Sequence, residues 1–205
     1  MEEDLSVLHL VIKEESDNNQ LDLVRFLLEN GANLEAKTSN GHTPLHFAVL
    51  YKKIEVVKLL IQKGADINAT DGFKNTPLHM AIFSNRIEVG TILVKNRANL
   101  EAKDNWGFTP LQKAILQDDR KFTKLFLNHG AIAVNPLTFF GLLPFEYAIQ
   151  GNKLNIVCLL VQNVLHIDCK TKYLMYNGLT PLEKALDSEH RKKMLKVMIY
   201  NNVPI

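Results

Sequence analysis

Thr43-Pro44-Leu45-His46-Phe47-Ala48 decides how this chain is organised, because it returns as Thr76-Pro77-Leu78-His79-Met80-Ala81 after 33 residues. Thr109-Pro110-Leu111-Gln112-Lys113-Ala114 keeps that interval. Leu143-Pro144-Phe145-Glu146-Tyr147-Ala148 arrives one residue late, and Thr180-Pro181-Leu182-Glu183-Lys184-Ala185 four later still. Ser6-Val7-Leu8-His9 opens the chain as a degenerate first copy.

Each position in the motif has a mechanical reason. Thr is a helix N-cap whose hydroxyl accepts an orphaned backbone N–H, and Pro suits N1, where a missing donor costs nothing. Gln112 and Glu183, three residues after their Thr, can close a capping box. Leu143 gives up its cap, so the fifth copy is expected to be locally weaker. Ala48, Ala81, Ala114, Ala148 and Ala185 share the position where neighbouring helices pass too closely for a larger side chain.

After a short turn, a second apolar segment follows each first helix, at 21–28, 54–61, 87–94, 120–127 and 154–161. Its apolar residues cover most of the helix, which predicts burial on several sides. It ends at Gly31-Ala32, Gly64-Ala65 and Gly130-Ala131, where glycine takes the left-handed C′ conformation, and then leads through segments such as Asp66-Ile67-Asn68-Ala69 into a hairpin-like loop.

Together the TPLHxA signature, the Gly-Ala-Asp/Asn helix ends and the 33-residue register resemble the ankyrin repeat family. The resemblance implies an all-α repeat solenoid of stacked helix-turn-helix units with β-hairpin fingers, its concave side made by the fingers and first helices. By register, one domain over 1–205 divides into six repeats: 1–37 as N-terminal cap, 38–70, 71–103, 104–137, 138–174 and 175–205 as C-terminal cap. Three departures stand out. The Glu14-to-Gln20 turn holds four extra residues, Lys74 takes the usual finger glycine, and Arg97 and Val164 replace the glycine that ends the second helix. A non-glycine residue forced left-handed costs roughly 1 kcal/mol.

Composition narrows the function. With 46% hydrophobic and 22% charged residues, the 205-residue chain is expected to be soluble and folded. A formal charge of +2 is too small for a nucleic-acid reader, and the densest basic run, His190-Arg191-Lys192-Lys193, suits a solvated end of the stack. The acidic start, Met1-Glu2-Glu3-Asp4, is unlike a secretory signal, and no apolar run reaches the roughly 20 residues that cross a bilayer, so no membrane partner is expected. Cys158 and Cys169 belong to no CxxC pair, which fits the reducing cytosol or nucleus, or a host cytoplasm for a pathogen protein; frequent Asn and Lys suit an AT-rich genome of that kind.

No catalytic, cofactor or metal residues are expected. GxxxxGK[ST], GxGxxG and HExxH motifs are absent. His9, His46 and His79 share one repeat position on layers roughly 8–10 Å apart, too far for ligands that must each sit within about 2.1 Å of zinc; hydrogen bonding near their own loops is the better reading. Asp118-Asp119 falls in a polar turn between helices. Asn68, with Leu60 eight residues earlier, matches the position that asparaginyl hydroxylases modify in the family, though the family's shared Asn is chiefly a loop-stabilising residue.

In ankyrin proteins, partners meet residues flanking the finger glycine and two positions late in the first helix. Carried onto this chain, that geometry nominates Tyr51, Phe73, Phe83, Trp106, Phe108, Leu116, Phe139, Phe140, Leu142 and Tyr176. Nothing in the repeat's own packing demands aromatics there, although Phe139 and Phe140 could instead fold inward and others could brace adjacent fingers. The expected function is a non-catalytic, monomeric module that binds another protein's apolar helix or extended segment, centred on the third to fifth repeats. Alternatives are a host-directed effector, a mimic resembling the NF-κB inhibitors, and a targeting segment of a larger protein.

Overall fold

The computed structural model describes residues 4–14, 20–132, 148, 153, 155–157 and 159–160. Its helices pair as the repeats require: α1 (Val7–Lys13) with α2 (Gln20–Glu29), α3 (Pro44–Leu50) with α4 (Ile54–Gln62), α5 (Pro77–Phe83) with α6 (Ile87–Lys95), and then α7 (Pro110–Leu116) and α8 (Arg120–Asn128). The capless Leu143 turn, Val164, Ala185 and the sixth repeat lie outside the described residues. The chain forms two compact units, Met1–Pro110 and Leu111–Ile205.

Within the first unit, first helices touch first helices in order, α1 to α3 to α5, and second helices do the same, α2 to α4 to α6. Ser6, Thr43 and Thr76 sit in extended backbone as N-caps, with Pro44 and Pro77 in the first helical turn. Ala48 and Ala81 are completely buried, as the close helix approach demands.

Burial is heaviest on the other helix from the one the apolar pattern singles out. Residues 44–49 and 77–82, nearly the whole of α3 and α5, are buried, whereas α4 keeps Glu55, Lys58 and Gln62 in solvent. A first helix is wedged between two first-helix neighbours and its own second helix, while the second helix turns one side to water. The first repeat differs: Val7, Leu10, Leu23 and Phe26 are exposed alongside Asp22, Arg25 and Glu29, so apolar and charged side chains share its surface.

Gly31, Gly64 and Gly130 end their helices at φ +83°, +92° and +83°. A Cβ built on any of them would meet nothing within 4 Å, so the backbone angle, not crowding, calls for glycine. Arg97 takes the same left-handed conformation at φ +65°, and Lys74 does so in its finger at +58°. A second left-handed register passed unread in the sequence because no glycine marks it there: Lys52, Asn85 and Asp118, at +56°, +53° and +57°, turn the chain between helices.

In the second unit Phe122 and Phe126 of α8 are fully buried with ring centroids 5.6 Å apart. Asp119 caps α8 by accepting the backbone N–H of Lys121 and Phe122 at 2.9 and 3.0 Å, so the Asp118-Asp119 pair is structural, as expected. Lys153 Nζ donates to the Leu116 carbonyl at 2.8 Å. Ala148, Ile156 and Leu160 are buried.

Arg97→Gly is expected to stabilise the protein by about 1 kcal/mol, since glycine holds φ +65° without strain. The check is the denaturant midpoint of the purified variant, which should rise; a fall would show that the arginine side chain contributes more than its backbone costs.

Candidate partner-binding face

The fingers are built by side chains that replace strand pairing. Asp71 and Asp104 are buried, and each closes its finger by accepting two backbone N–H groups. Asp71 Oδ1 takes those of Phe73 and Asn75 at 2.8 and 2.7 Å, and Asp104 Oδ1 those of Trp106 and Phe108 at 2.9 and 3.0 Å. Thr38 does the same less fully, accepting from His42 N at 3.2 Å. Two backbone bonds complete each turn: Thr38 N to His42 O with Gly41 N to Thr38 O, Asp71 N to Asn75 O with Lys74 N to Asp71 O, and Asp104 N to Phe108 O with Gly107 N to Asp104 O. Among the described residues the fingers are therefore tight turns, without the paired strands of a β-hairpin.

Successive fingers are tied edge to edge. Gly72 N donates to Asn40 O, and Asn105 N to Phe73 O, both at 2.9 Å. The approach is so close that a Cβ on Gly41, at φ +79°, would lie 2.7 Å from Gly72 N. Farther along, Glu35 Oε1 accepts Asp66 N and Asn68 Oδ1 accepts Asn99 N, each at 2.8 Å and each one repeat on. Asn68 thus has the loop-stabilising role read for it.

Three buried histidines anchor the fingers to the helices. Nε2 of His9, His46 and His79 lies 3.0, 3.1 and 3.1 Å from the carbonyl oxygens of His42, Asn75 and Phe108, each in the following finger. A carbonyl only accepts, so Nε2 carries the proton and Nδ1 is bare. Nδ1 then accepts the backbone N–H of Ser6, Thr43 and Thr76, at 3.2 Å in every case. The sequence reading placed these histidines at their own loops, which is half of what they do. No group of three metal-ligating side chains occurs among the described residues.

On this frame Phe73 and Trp106, at the tips of adjacent fingers, stack with centroids 6.0 Å apart and planes 8° from parallel. Each is still about half exposed, and Phe83 at the end of α5 is 73% exposed. Tyr51 is half-buried, its ring 5.7 Å from that of Phe47. Phe108 is half-buried too, and its main chain is held on both sides, its N–H donating to Asp104 and its carbonyl accepting from Asp104 N and His79. Beside Phe73, the smallness of Gly72 serves the neighbouring finger, since a Cβ there would lie 3.1 Å from Asn40 O. In the second unit Leu116 is exposed. Phe139, Phe140, Leu142 and Tyr176 lie outside the described residues.

A family model described as ankyrin repeats in three copies matches residues 2–71 and 78–173, most of the chain. The chain belongs to the ankyrin repeat family. Ankyrin repeats generally mediate protein–protein interaction, and the family is a non-catalytic interaction module. No helix among the described residues is long and apolar enough to cross a membrane.

Protonation works against the histidine joint. Burial, the largest influence, pushes the His46 imidazole down from 6.5 to about 4, aided by nearby His42 and Lys37; the bond to the Asn75 carbonyl and the Asp71 carboxylate pull the other way. Because the folded value lies below the unfolded one, the neutral ring's contribution is complete above pH 6.5. It is lost as pH falls from 6.5 to about 4, by about 3 kcal/mol across that window. His46→Gln, with the residue this chain uses at Gln112, is expected to narrow its stability deficit against wild type as pH falls through that range. Thermal melts at half-unit steps provide the check, and a pH-independent deficit would remove His46 as the titrating group.

Proposed function

We propose that the chain binds a partner protein through the fingers of its second to fourth repeats and the first helices of its second and third, with Phe73, Trp106 and Phe83 as anchors and Tyr51 and Phe108 beside them. The observation that supports this reading is the Phe73–Trp106 stack, which spans two fingers and stays half exposed. Bracing alone explains one face of each ring, and such a pair is worth about 0.5–1.5 kcal/mol beyond its burial. The apolar area still wet on each ring is of the order of 100 Å², worth roughly 2–3 kcal/mol on docking. An apolar helix or extended segment realises that gain.

The same face would serve a free-standing adaptor, a pathogen effector or the targeting segment of a larger protein; these differ in the occupant. The two cysteines, outside any CxxC pair, suit work in the cytosol or nucleus, and a single copy of the chain is sufficient to present the anchors.

Phe83→Ala/Trp106→Ala is expected to keep its melting temperature within a few degrees, since Phe83 is 73% exposed and Trp106 half exposed with the Phe73 stack as its main loss, and to lose the partners captured by the wild-type chain. Recovery of the same partners in equal amount would sink this reading. Trp106 is the only tryptophan, so its emission is a second readout, moving to shorter wavelength as a captured partner covers it.

A further inference from the structure

The first repeat carries the side-chain pattern of an inner repeat. By register Leu10 stands where Phe47 and Met80 stand, Leu23 where Val56 and Val89 stand, and Phe26 where Leu59 and the half-buried Ile92 stand. Phe47, Met80, Val56, Val89 and Leu59 are buried, whereas Leu10, Leu23 and Phe26 are 49%, 42% and 60% exposed. Val7, at 57%, takes the place of the buried Pro44 and Pro77. Charged residues sort the other way: Asp22, Arg25 and Glu29 match Glu55, Lys58 and Gln62, which are exposed in the second repeat as well.

In the second repeat these positions meet the repeat before. The Phe47 ring lies 4.7 Å from the imidazole of His9, and α3 packs on α1 as α4 packs on α2. Val7, Leu10, Leu23 and Phe26 are therefore the stacking side of a repeat, with no helix before it among the described residues. The adjoining chain offers little to cover them, since residues 1–3 and 15–19, outside the described residues, include one apolar side chain, Met1.

We infer that this face is filled by the same face of a second copy of the chain, first repeat against first repeat, in a two-fold dimer. Such a contact continues the repeat-to-repeat interface with the side chains that form it elsewhere. Being isologous, it needs no surface beyond the one described and closes at two copies instead of running on as a filament. Residues 7–12, 23, 24, 26 and 27, the counterparts of the buried residues of α3 and α4, include no Asp, Glu, Lys or Arg, so stacking there takes no such charge out of water. The exposed parts of the four apolar side chains come to roughly 400 Å² in each copy, the size at which an apolar patch marks a binding surface. Two copies with their polar rims bury about 1,200 Å², the lower bound of specific interfaces, so the dimer is reversible, with a dissociation constant of about 10–100 µM. The pair departs from the single copy expected from the sequence. It is independent of the aromatic face, whose anchors belong to the third and fourth repeats.

Sedimentation velocity of the full chain from about 1 to about 500 µM brackets that constant. The sedimentation coefficient is expected to rise from monomer to dimer across the series. A monomer throughout overturns the inference, whichever segment or upstream repeat covers the face, and growth beyond two copies overturns the two-fold contact. Leu10→Glu/Phe26→Glu and Leu10→Lys/Phe26→Lys each set like charges on both halves of the interface, and each is expected to weaken pairing at least tenfold. Mixed in equal amounts, they are expected to pair at least fivefold more tightly than either alone, since opposite charges then meet. A mixture no better than its components, both melting as cooperatively as wild type, shows that the face does not meet itself. The milder Val7→Gln/Phe26→Gln is expected to weaken pairing at least fivefold; unchanged pairing there rejects this placement whether or not the charged variants fold. Phe83→Ala/Trp106→Ala is expected to pair as wild type does, and its failure to do so would move the contact to the aromatic face and overturn the inference.

Discussion

A neutral imidazole with its proton on Nε2 joins each described repeat of the first unit to the next. Its bare Nδ1 is satisfied by the backbone of its own helix cap and its Nε2–H by the carbonyl of the following finger, so one buried side chain bridges two layers. Each bond is worth only about 0.5–1.5 kcal/mol net, but an imidazole buried with either nitrogen unpaired would cost more than it gains. The cap, the histidine and the finger therefore stand or fall as a set. Finger position follows from that joint, and the direction of Phe73 and Trp106 follows from finger position.

Much of this was legible in the sequence because it is local. Thr-Pro announces the first helix, Gly-Ala announces the end of the second, and the left-handed geometry inferred at Arg97 from its place in the register is what the backbone adopts. The acceptor of each histidine was not legible, since it is a backbone carbonyl 29 or 33 residues away and any residue supplies one. Nor was the turn at Lys52, Asn85 and Asp118, where three different residues accept the conformation that glycine would mark. Counting apolar residues also misjudged which helix is more enclosed, because a count does not report how many neighbours surround a side chain. On the face itself, the register nominated Phe73, Phe83 and Trp106, which are exposed, yet it treated Phe108 as their equal, and Phe108 is half-buried.

The fingers satisfy themselves. The buried carboxylates of Asp71 and Asp104 are answered by the chain's own N–H groups, and the side chains left outward at the described tips include the rings of Phe73 and Trp106. The side chains thus divide into those that hold the repeats together and those that are available to something else.

The joint between repeats also has a genetic consequence. Each bridging bond needs only a histidine after one cap and a carbonyl in the next finger, and each finger seam only a backbone N–H and a carbonyl. A 33-residue duplication would copy both halves of these connections together. The array could thus lengthen or shorten by recombination between its own copies without stranding a buried polar atom, leaving point substitutions at the finger tips to change what it recognises.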